Sequence, residues 1–281
     1  VARAGRATVF PQAIAMAATF DDNAVHETFT MVSDEARAKY HQYQKDKEYD
    51  RYKGLTFWTP NINIFRDPRW GRGMETYGED PYLTEKMGVA VTRGLQGDDP
   101  NYYKTHACAK HYAVHSGPEW SRHTANLNNV RPRDLWETYL PAFKALVQKA
   151  DVREVMCAYQ RLDDDPCCGN TRLLQQILRD EWGFDGFVVT DWASASEMIS
   201  HGFAADPKEA AMKAVNAGVD MEMVSYTFVK ELPELVKEGK VKESTIDEAV
   251  RNILRIKYRL GLFDNPYVDE KLSSTVMYAP S

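Results

Sequence analysis

Five apolar, strand-like runs of this sequence each end in polar or ionisable side chains. The ends carry Asn61 and Asn63, Lys110 and His111, Tyr159, Asp191 and Trp192, and Glu222. The carboxyl ends of parallel strands meet at one face of a barrel, so side chains placed there can line one pocket. An aspartate at a strand end is often only the N-cap of the next helix. Because five ends share the pattern, we predict that these side chains, Asp191 among them, line one pocket.

The elements that must position these side chains alternate along the chain. Strand-like runs cover residues 55–64, 105–112, 155–159, 186–191 and 218–223. Helix-like runs begin at Asp80-Pro81, Arg131-Pro132, Asn170, Asp206-Pro207 and Ser244, and the last three end at Gly183, Gly218 and Gly261. Capping side chains, proline in the first turn and glycine after the last turn are typical of helix boundaries.

This alternation of strand and helix predicts an α/β protein with a parallel sheet. The last three strand ends lie roughly 30 residues apart, which fits a (β/α)8 TIM-like barrel. A doubly wound open sheet would alternate in a similar way. It would also place a glycine-rich phosphate loop after its first strand, and the sequence has none. We therefore expect the barrel.

The composition disfavours two classes of partner. The chain has 281 residues and a formal net charge of -6. Nucleic-acid binding usually requires a basic face, so no nucleic-acid partner is predicted. No apolar stretch reaches about 18 residues, so no membrane-spanning segment is predicted. The sequence opens with Val1 and shows no signal peptide, which leaves the compartment open.

The four cysteines do not indicate a metal site. Cys108 and Cys157 lie in apolar runs, where a thiol behaves as a small hydrophobic group. Cys167 and Cys168 are adjacent in a loop, and no further His or Cys joins them at a spacing typical of zinc sites. We expect all four to be structural, and we predict no metal and no organic cofactor.

Four segments, in this order along the chain, resemble the motifs of glycoside hydrolase family 3, the exo-acting β-glucosidases and β-xylosidases. They are residues 66–81 (RDPRWGRGMETYGEDP), 109–113 with 115–120 (AKHYA and HSGPEW), 155–159 (VMCAY) and 186–192 (GFVVTDW). Each segment alone is moderately specific, whereas the ordered set is highly specific. The resemblance covers essentially the whole chain.

The family resemblance implies a retaining mechanism in which a carboxylate forms a covalent bond to the sugar. Asp191 matches the nucleophile of the family. The residues that match its substrate-binding positions are Arg72, Lys110, His111, Tyr159, Trp192 and Met156. Lys110 and His111 are expected to keep the pKa of Asp191 low while they bind sugar hydroxyls. The expected substrate is an oligosaccharide or an aryl β-glycoside.

The resemblance also implies a division into domains. Residues 1–265 match the catalytic barrel without its first strands, and residues 266–281 match the start of a linker to an absent C-terminal α/β-sandwich domain. In most family members a Glu of that domain is the acid/base. We therefore expect the chain to be a fragment that lacks its proton donor, and to be poorly stable alone because a sheet edge is exposed.

Two other acid/base candidates stay weak. One branch of the family uses a loop His–Asp pair, but the loop that contains His123 lacks the form of that branch. Asp220 and Glu222 form a carboxylate pair at a strand end, to which the family assigns no such role. We expect a structural or substrate-contact role for Arg122 and His123.

Several alternatives remain open at this point. The favoured specificity is for β-D-glucosyl residues, with β-xylosidase or arabinosidase specificity on the same scaffold as the alternative. A barrel that only binds sugar is a second class. An aldolase that uses Lys110 as a Schiff base is a third, although the adjacent His111 and nearby carboxylates disfavour the apolar pocket that such a lysine needs. Arg72 could also be only an ion-pair partner of Glu75 or Asp67.

Overall fold

A computed structural model describes residues 5–263. The strands are β1 (Thr56–Phe57), β2 (His106–Tyr112), β3 (Asn126–Leu127), β4 (Glu154–Cys157), β5 (Arg161–Leu162), β6 (Asp165–Pro166) and β7 (Phe187–Thr190). The α-helices are α1 (Ala13–Ala17), α2 (Asp22–Lys45), α3 (Pro81–Gln96), α4 (Pro132–Asp134), α5 (Pro141–Ala150), α6 (Ser194–Ser200), α7 (Pro207–Ala217), α8 (Thr227–Lys237) and α9 (Glu243–Arg259). Leu135–Tyr139 and Arg172–Glu181 are π-helical, and Gly73–Glu75, Glu119–Ser121 and Cys167–Gly169 are 3₁₀ turns.

The main sheet is parallel, with strand order β1-β2-β4-β7. Lys110 of β2 pairs with Met156 of β4, which pairs with Val189 of β7. Helices connect these strands, so the prediction of an α/β protein with a parallel sheet is confirmed. A second, small sheet of β3, β5 and β6 lies in the loops beyond β2 and β4, and the sequence pattern did not predict it.

Two of the five predicted strands are much shorter than expected. The run 55–64 forms only β1, because Pro60 has no N–H to donate to a ladder. The chain still follows β2, since the Lys110 N–H donates to Pro60 O at 3.2 Å. The run 218–223 forms a single bridge between Met221 and Val189.

The predicted helix starts are confirmed where a side chain caps the first turn. Asp80 accepts from the Leu83 N–H at 2.6 Å, and Asn170 accepts from the Leu173 N–H at 3.0 Å. Asp206 does the same for α7. The single helix predicted after Arg131 is instead divided into α4, a π-helical turn and α5. Pro141 begins α5 and lacks the N–H that an uninterrupted helix would use there.

The sequence pattern also missed α2, the longest helix of the described residues. Its buried positions are Val25, Ser33, Glu35, Ala38 and His41. Three of these five are polar, so no apolar stripe marks the helix. It packs closely on α3, where the Ser33 hydroxyl donates to Gly94 O at 2.9 Å.

Apolar side chains lie on both faces of the main sheet. One cluster joins the sheet to the helices and includes Val155 and Val188. The other lies on the opposite face and includes Cys108, Met156 and Val189. Successive strand residues point to opposite faces, so Asp191 follows Val189 on the inner face of the sheet.

A disulfide ties the loop after β4 to the end of that strand. It joins Cys157 to Cys168, while Cys108 and Cys167 are free and buried. The sequence analysis expected structural cysteines but did not pair them. Within residues 5–263, no helix combines the length and the apolar character that crossing a membrane requires. The residues assigned to a linker, 266–281, lie outside the described part of the chain.

Candidate active site

Asp191 directly follows β7 and is 8% exposed. Its Oδ1 accepts from the Trp192 N–H at 2.7 Å, and Ala193 then turns the chain with φ of +60°. Its Oδ2 is buried and has no hydrogen-bond partner among the described residues. The strand end therefore holds one carboxylate oxygen and leaves the other free.

His111 faces this free oxygen from the neighbouring part of the sheet. Its Nε2 lies 3.4 Å from Asp191 Oδ2. Asn63 Oδ1 accepts from the His111 backbone N–H at 2.8 Å and lies 3.0 Å from Nδ1, while the Asn63 amide donates to His111 O at 2.8 Å. Because an amide oxygen can only accept, Nδ1 carries the hydrogen, and Nε2 is left as an acceptor.

The ionisation state of His111 bears on its expected role beside Asp191. Burial, and then the charges of His115 and Lys110, lower the pKa of His111 well below its usual value. The imidazole is therefore neutral at neutral pH and is not a cation that stabilises the Asp191 carboxylate. Its free Nε2 is instead suited to accept a hydrogen bond from a ligand hydroxyl.

Lys110 and Arg72 bring positive charge to the same region. Burial, and then the charge of Arg72, lower the pKa of Lys110, and the carboxylates of Glu75 and Asp191 partly offset this. The two carboxylates favour the ammonium form of Lys110, which donates hydrogen bonds. Burial and Arg72 act in the opposite direction and favour the uncharged amine that a Schiff-base mechanism requires.

Arg72 forms a two-point ion pair with Glu75. Its Nε and Nη2 donate to the two Glu75 oxygens at 2.8 and 2.7 Å, and Asn61 donates to the same carboxylate at 3.3 Å. The ion pair with Glu75 that the sequence analysis considered is thus present, and a contact of Arg72 with the substrate stays a prediction. Burial lowers the pKa of Arg72, but Glu75 and Asp191 raise it further than burial lowers it. Arg72 is therefore both anchored by Glu75 and within electrostatic range of Asp191.

Tyr159 completes the ring of groups around the carboxylate. It is 7% exposed. Burial, and then the negative charge of Asp191, raise the pKa of its hydroxyl, so the hydroxyl keeps its proton and can donate. Its ring meets the ring of His123 edge-on at 4.4 Å.

The two remaining predicted residues, Trp192 and Met156, differ in exposure. Trp192 is 41% exposed, and the Arg51 guanidinium lies 5.5 Å from its ring centroid. Its indole is a flat apolar surface at the rim. Met156 is 2% exposed and belongs to the inner apolar cluster with Val189. Met156 is therefore packed within this cluster and almost fully buried.

The carboxylate pair Asp220 and Glu222 is not part of this arrangement. Asp220 binds Arg179 at 2.6 Å, the Val188 N–H at 2.7 Å and Asn252 at 3.0 Å, towards the amino end of β7. Glu222 accepts from the Thr227 hydroxyl at 2.7 Å. Both carboxylates are thus engaged in structural contacts.

The sequence analysis did not select two residues that hold the site together. Asn63 stood in the strand-end pattern, but nothing in the sequence indicated its three contacts to His111. Glu197 lies in α6 and is 2.8 Å from His123 Nδ1, and no sequence signal distinguished it from a surface glutamate. Among residues 5–263, no group of three or more His, Cys, Asp or Glu side chains is placed to hold a metal ion.

Comparison with known proteins gives one consistent family. Residues 1–256 match the model of the glycosyl hydrolase family 3 N terminal domain. A xylan 1,4-beta-xylosidase of Xylanibacter ruminicola is 54% identical over 96% of this chain and 32% of its own length. A periplasmic beta-glucosidase of Salmonella typhimurium is 37% identical over 94% of this chain and 34% of its own length.

Solved structures agree in fold. A family 3 exo-beta-xylosidase in complex with a xylobiose aziridine probe superposes with a TM-score of 0.86 at 31% identity, over 96% of this chain and 35% of that one. A beta-glucosidase of Listeria innocua in complex with glucose gives 0.83 at 36%, over 97% and 37%. The predicted TIM-like (β/α)8 barrel fold is thereby confirmed. The chain spans about a third of the length of these relatives.

Proposed function

Because the chain belongs to glycosyl hydrolase family 3, we propose that it forms the catalytic barrel of a retaining, exo-acting β-glycosidase with Asp191 as the nucleophile. The observation that carries this proposal is the state of the Asp191 carboxylate. Oδ1 is held by the backbone, and Oδ2 is buried and unpaired beside the His111 imidazole. A fixed carboxylate with one free oxygen is suited to attack a bound sugar.

In the proposed reaction, Asp191 Oδ2 attacks the anomeric carbon of a terminal β-sugar. The bond from that carbon to the leaving oxygen breaks, and a carboxylic acid gives the leaving oxygen a proton. Water, deprotonated by the same carboxylate, then attacks the glycosyl–aspartate and releases the sugar with its original stereochemistry. No metal or organic cofactor takes part in these steps.

The remaining predicted residues have defined tasks in this proposal. His111 Nε2 accepts from one sugar hydroxyl, while Lys110 and Arg72 donate to others. The Tyr159 hydroxyl donates to the Asp191 carboxylate or to the sugar ring region. The exposed Trp192 indole packs against an apolar face of the sugar.

The proton donor stays a prediction drawn from the family resemblance, namely a Glu of a second domain. Two carboxylates near Asp191 are poor alternatives. Glu75 is bound at both oxygens by Arg72, and Glu197 is bound by His123. Residues 1–265 are accordingly proposed as the barrel domain only.

The sugar is proposed to be xylose rather than glucose. The sequence analysis favoured glucosyl residues by a small margin. A relative named a xylan 1,4-beta-xylosidase shares 54% identity, whereas a relative named a beta-glucosidase shares 37%. This difference moves the preference to terminal β-D-xylosyl residues, with β-D-glucosyl residues as the second candidate.

A trapping experiment tests the nucleophile and the sugar together. The enzyme that carries this chain is incubated with 2-fluoro β-xylosides and 2-fluoro β-glucosides that have activated leaving groups, and the labelled peptide is identified by mass spectrometry. We expect the label on Asp191, faster with the xyloside, and none in Asp191→Asn. Label on Asp220 or Glu222 would overturn the assignment.

A second assay separates this proposal from the aldolase alternative. Borohydride reduction in the presence of a carbonyl substrate fixes a Schiff base to its lysine. We expect no adduct on Lys110, and an adduct there would favour the alternative.

A further inference from the structure

We propose that His123, held by Glu197, is a positioning residue that fixes the Tyr159 hydroxyl against the nucleophile Asp191. This inference rests on the proposed function, because it needs Asp191 to be the reacting group. It concerns a loop residue to which the sequence analysis gave only a structural or substrate-contact role.

His123 is exposed, yet contacts from three directions fix it. Its Nδ1 lies 2.8 Å from Glu197 Oε1. The Arg122 Nε donates to its Nε2 at 3.3 Å. Its backbone oxygen lies 2.6 Å from His201 Nε2. An exposed side chain with its ring and its backbone both held has little rotational freedom, and its ring can therefore hold another ring.

That other ring belongs to Tyr159. The two centroids are 4.4 Å apart, and the rings are inclined by 60°. The next aromatic contact of Tyr159, with His115, is longer at 6.5 Å. Edge-to-face packing at the shorter distance blocks the Tyr159 ring from swinging about its Cα–Cβ bond towards His123. Because that swing would carry the hydroxyl out of its place, the contact fixes where the hydroxyl lies relative to Asp191.

Glu197 connects this contact to the nucleophile through a short element. It lies in α6, which begins at Ser194, three residues after Asp191. The path runs from Asp191 along α6 to Glu197, then to His123 and Tyr159. It returns to Asp191 because the Tyr159 hydroxyl interacts with the Asp191 carboxylate. A closed path of this kind fixes relative positions, because displacement of any member is resisted by two neighbours.

The same contacts argue against proton transfer by His123. Both ring nitrogens have partners, since Nδ1 faces Glu197 and Nε2 accepts from Arg122. A general acid must present a free proton to the leaving oxygen. The geometry therefore supports a positioning role, exerted through Tyr159.

The test uses the enzyme that carries this chain, with an aryl β-xyloside and an aryl β-glucoside as substrates. His123→Ala removes both the ring contact and the Glu197 partner. We expect kcat to fall about 10- to 100-fold, the scale of a misplaced reacting group, with little change in KM. His123→Phe keeps a ring against Tyr159, so we expect it to recover most of the lost kcat.

A double-variant comparison separates positioning from a general loss of structure. Tyr159→Phe removes the hydroxyl that His123 is proposed to fix. In that background, His123→Ala should cause little further loss. Glu197→Gln should lower kcat less than His123→Ala, because the amide still accepts from Nδ1. The control is Glu137→Gln, which breaks the exposed pair with Arg133 and should leave kcat unchanged.

Each of these measurements supports or overturns the positioning role of His123. An unchanged kcat in His123→Ala, a phenylalanine that restores nothing, or losses that multiply with Tyr159→Phe would overturn the positioning role. If the unsubstituted enzyme is not labelled at Asp191 by a 2-fluoro glycoside, the proposed function fails instead. The two failures are thus distinguishable in the same set of samples.

Discussion

Two aspartates near β7 differ in the hydrogen bonds that their carboxylates accept. Asp220, towards the amino end of the strand, has both oxygens bound by Arg179, Asn252 and a backbone N–H. Asp191, at the carboxyl end, has one oxygen bound and the other unpaired. In β/α barrels the carboxyl end of the strands carries catalysis and the amino end carries stability. The two carboxylates thus differ in hydrogen-bond satisfaction, and this difference separates a structural role for Asp220 from the catalytic role proposed for Asp191.

The largest effect is expected from Asp191→Asn. The amide keeps the contact with the Trp192 N–H but cannot attack the sugar, so kcat should fall about 10⁴- to 10⁶-fold. The melting temperature should stay the same or rise, because a buried, unpaired charge is removed. Enzyme assays and thermal melts of the two proteins check this. A large loss of stability with activity retained would reverse the roles given to Asp191 and Asp220.

Asp220→Ala should show the opposite pattern. It leaves the partly buried Arg179 guanidinium without its carboxylate, and breaking such a pair costs about 3–5 kcal/mol. Chemical denaturation measures this loss, while kcat per folded molecule should be unchanged. Glu137→Ala is the matched control, because its pair with Arg133 is exposed and should contribute little. Equal losses in the two variants would contradict the comparison.

A third carboxyl group, that of Glu154, lies at the amino end of β4 and holds its proton instead of carrying a charge. Burial raises the pKa of Glu154 to about 8, and burial lowers the pKa of its neighbour His106, 3.3 Å away, to about 4. Both groups are thus neutral near pH 7. The protonated Glu154 contributes stability that is complete below pH 4.5, its ordinary pKa. That stability is lost as pH rises towards 8, because the unfolded state releases the proton earlier.

Glu154→Gln should therefore change the pH dependence of stability. His106 acts in the other direction, since its stability contribution is present above pH 6.5 and lost as pH falls towards 4. The variant has no acid to ionise, so its stability relative to the original should increase between pH 4.5 and 8, by on the order of a few kcal/mol. Denaturation at several pH values measures this difference. A constant difference across that range would show that Glu154 is not held in its protonated form.

The sequence predicted what local chemistry determines. Asp80, Asn170 and Asp206 cap helices through contacts to residues three positions away, so their roles can be read from neighbouring residues. The positions of Asp191 and His111 in one pocket were predicted from the apolar runs before them, and their roles were predicted from the family resemblance. The parallel sheet followed from the alternation of those runs with helices.

What the sequence did not predict depends on distant contacts. Asn63 contacts His111, 48 positions away, and Glu197 contacts His123, 74 positions away. The neutral state of His111 also escaped prediction, because burial on folding is the largest cause of its lowered pKa. The long helix α2 was missed because its buried face contains Ser33, Glu35 and His41. No apolar period marks such a face.

The smallest effect on activity is expected from Asn63→Ala. This variant tests whether the unpaired groups at the carboxyl end of the sheet take part in binding. Asn63→Ala removes the acceptor that fixes the hydrogen on Nδ1 of His111, so Nε2 would no longer be held as an acceptor for a sugar hydroxyl. Leaving a buried partner unsatisfied costs about 1–3 kcal/mol, which corresponds to ~10- to 100-fold in kcat/KM. The control is Asn128→Ala, which removes an exposed contact to Asp164. We expect an increase in KM for sugars that keep the hydroxyl, and no increase for deoxy analogues that lack it. Equal losses for both kinds of substrate would mean that Asn63 only supports the fold, and that the free acceptor of His111 plays no part in binding.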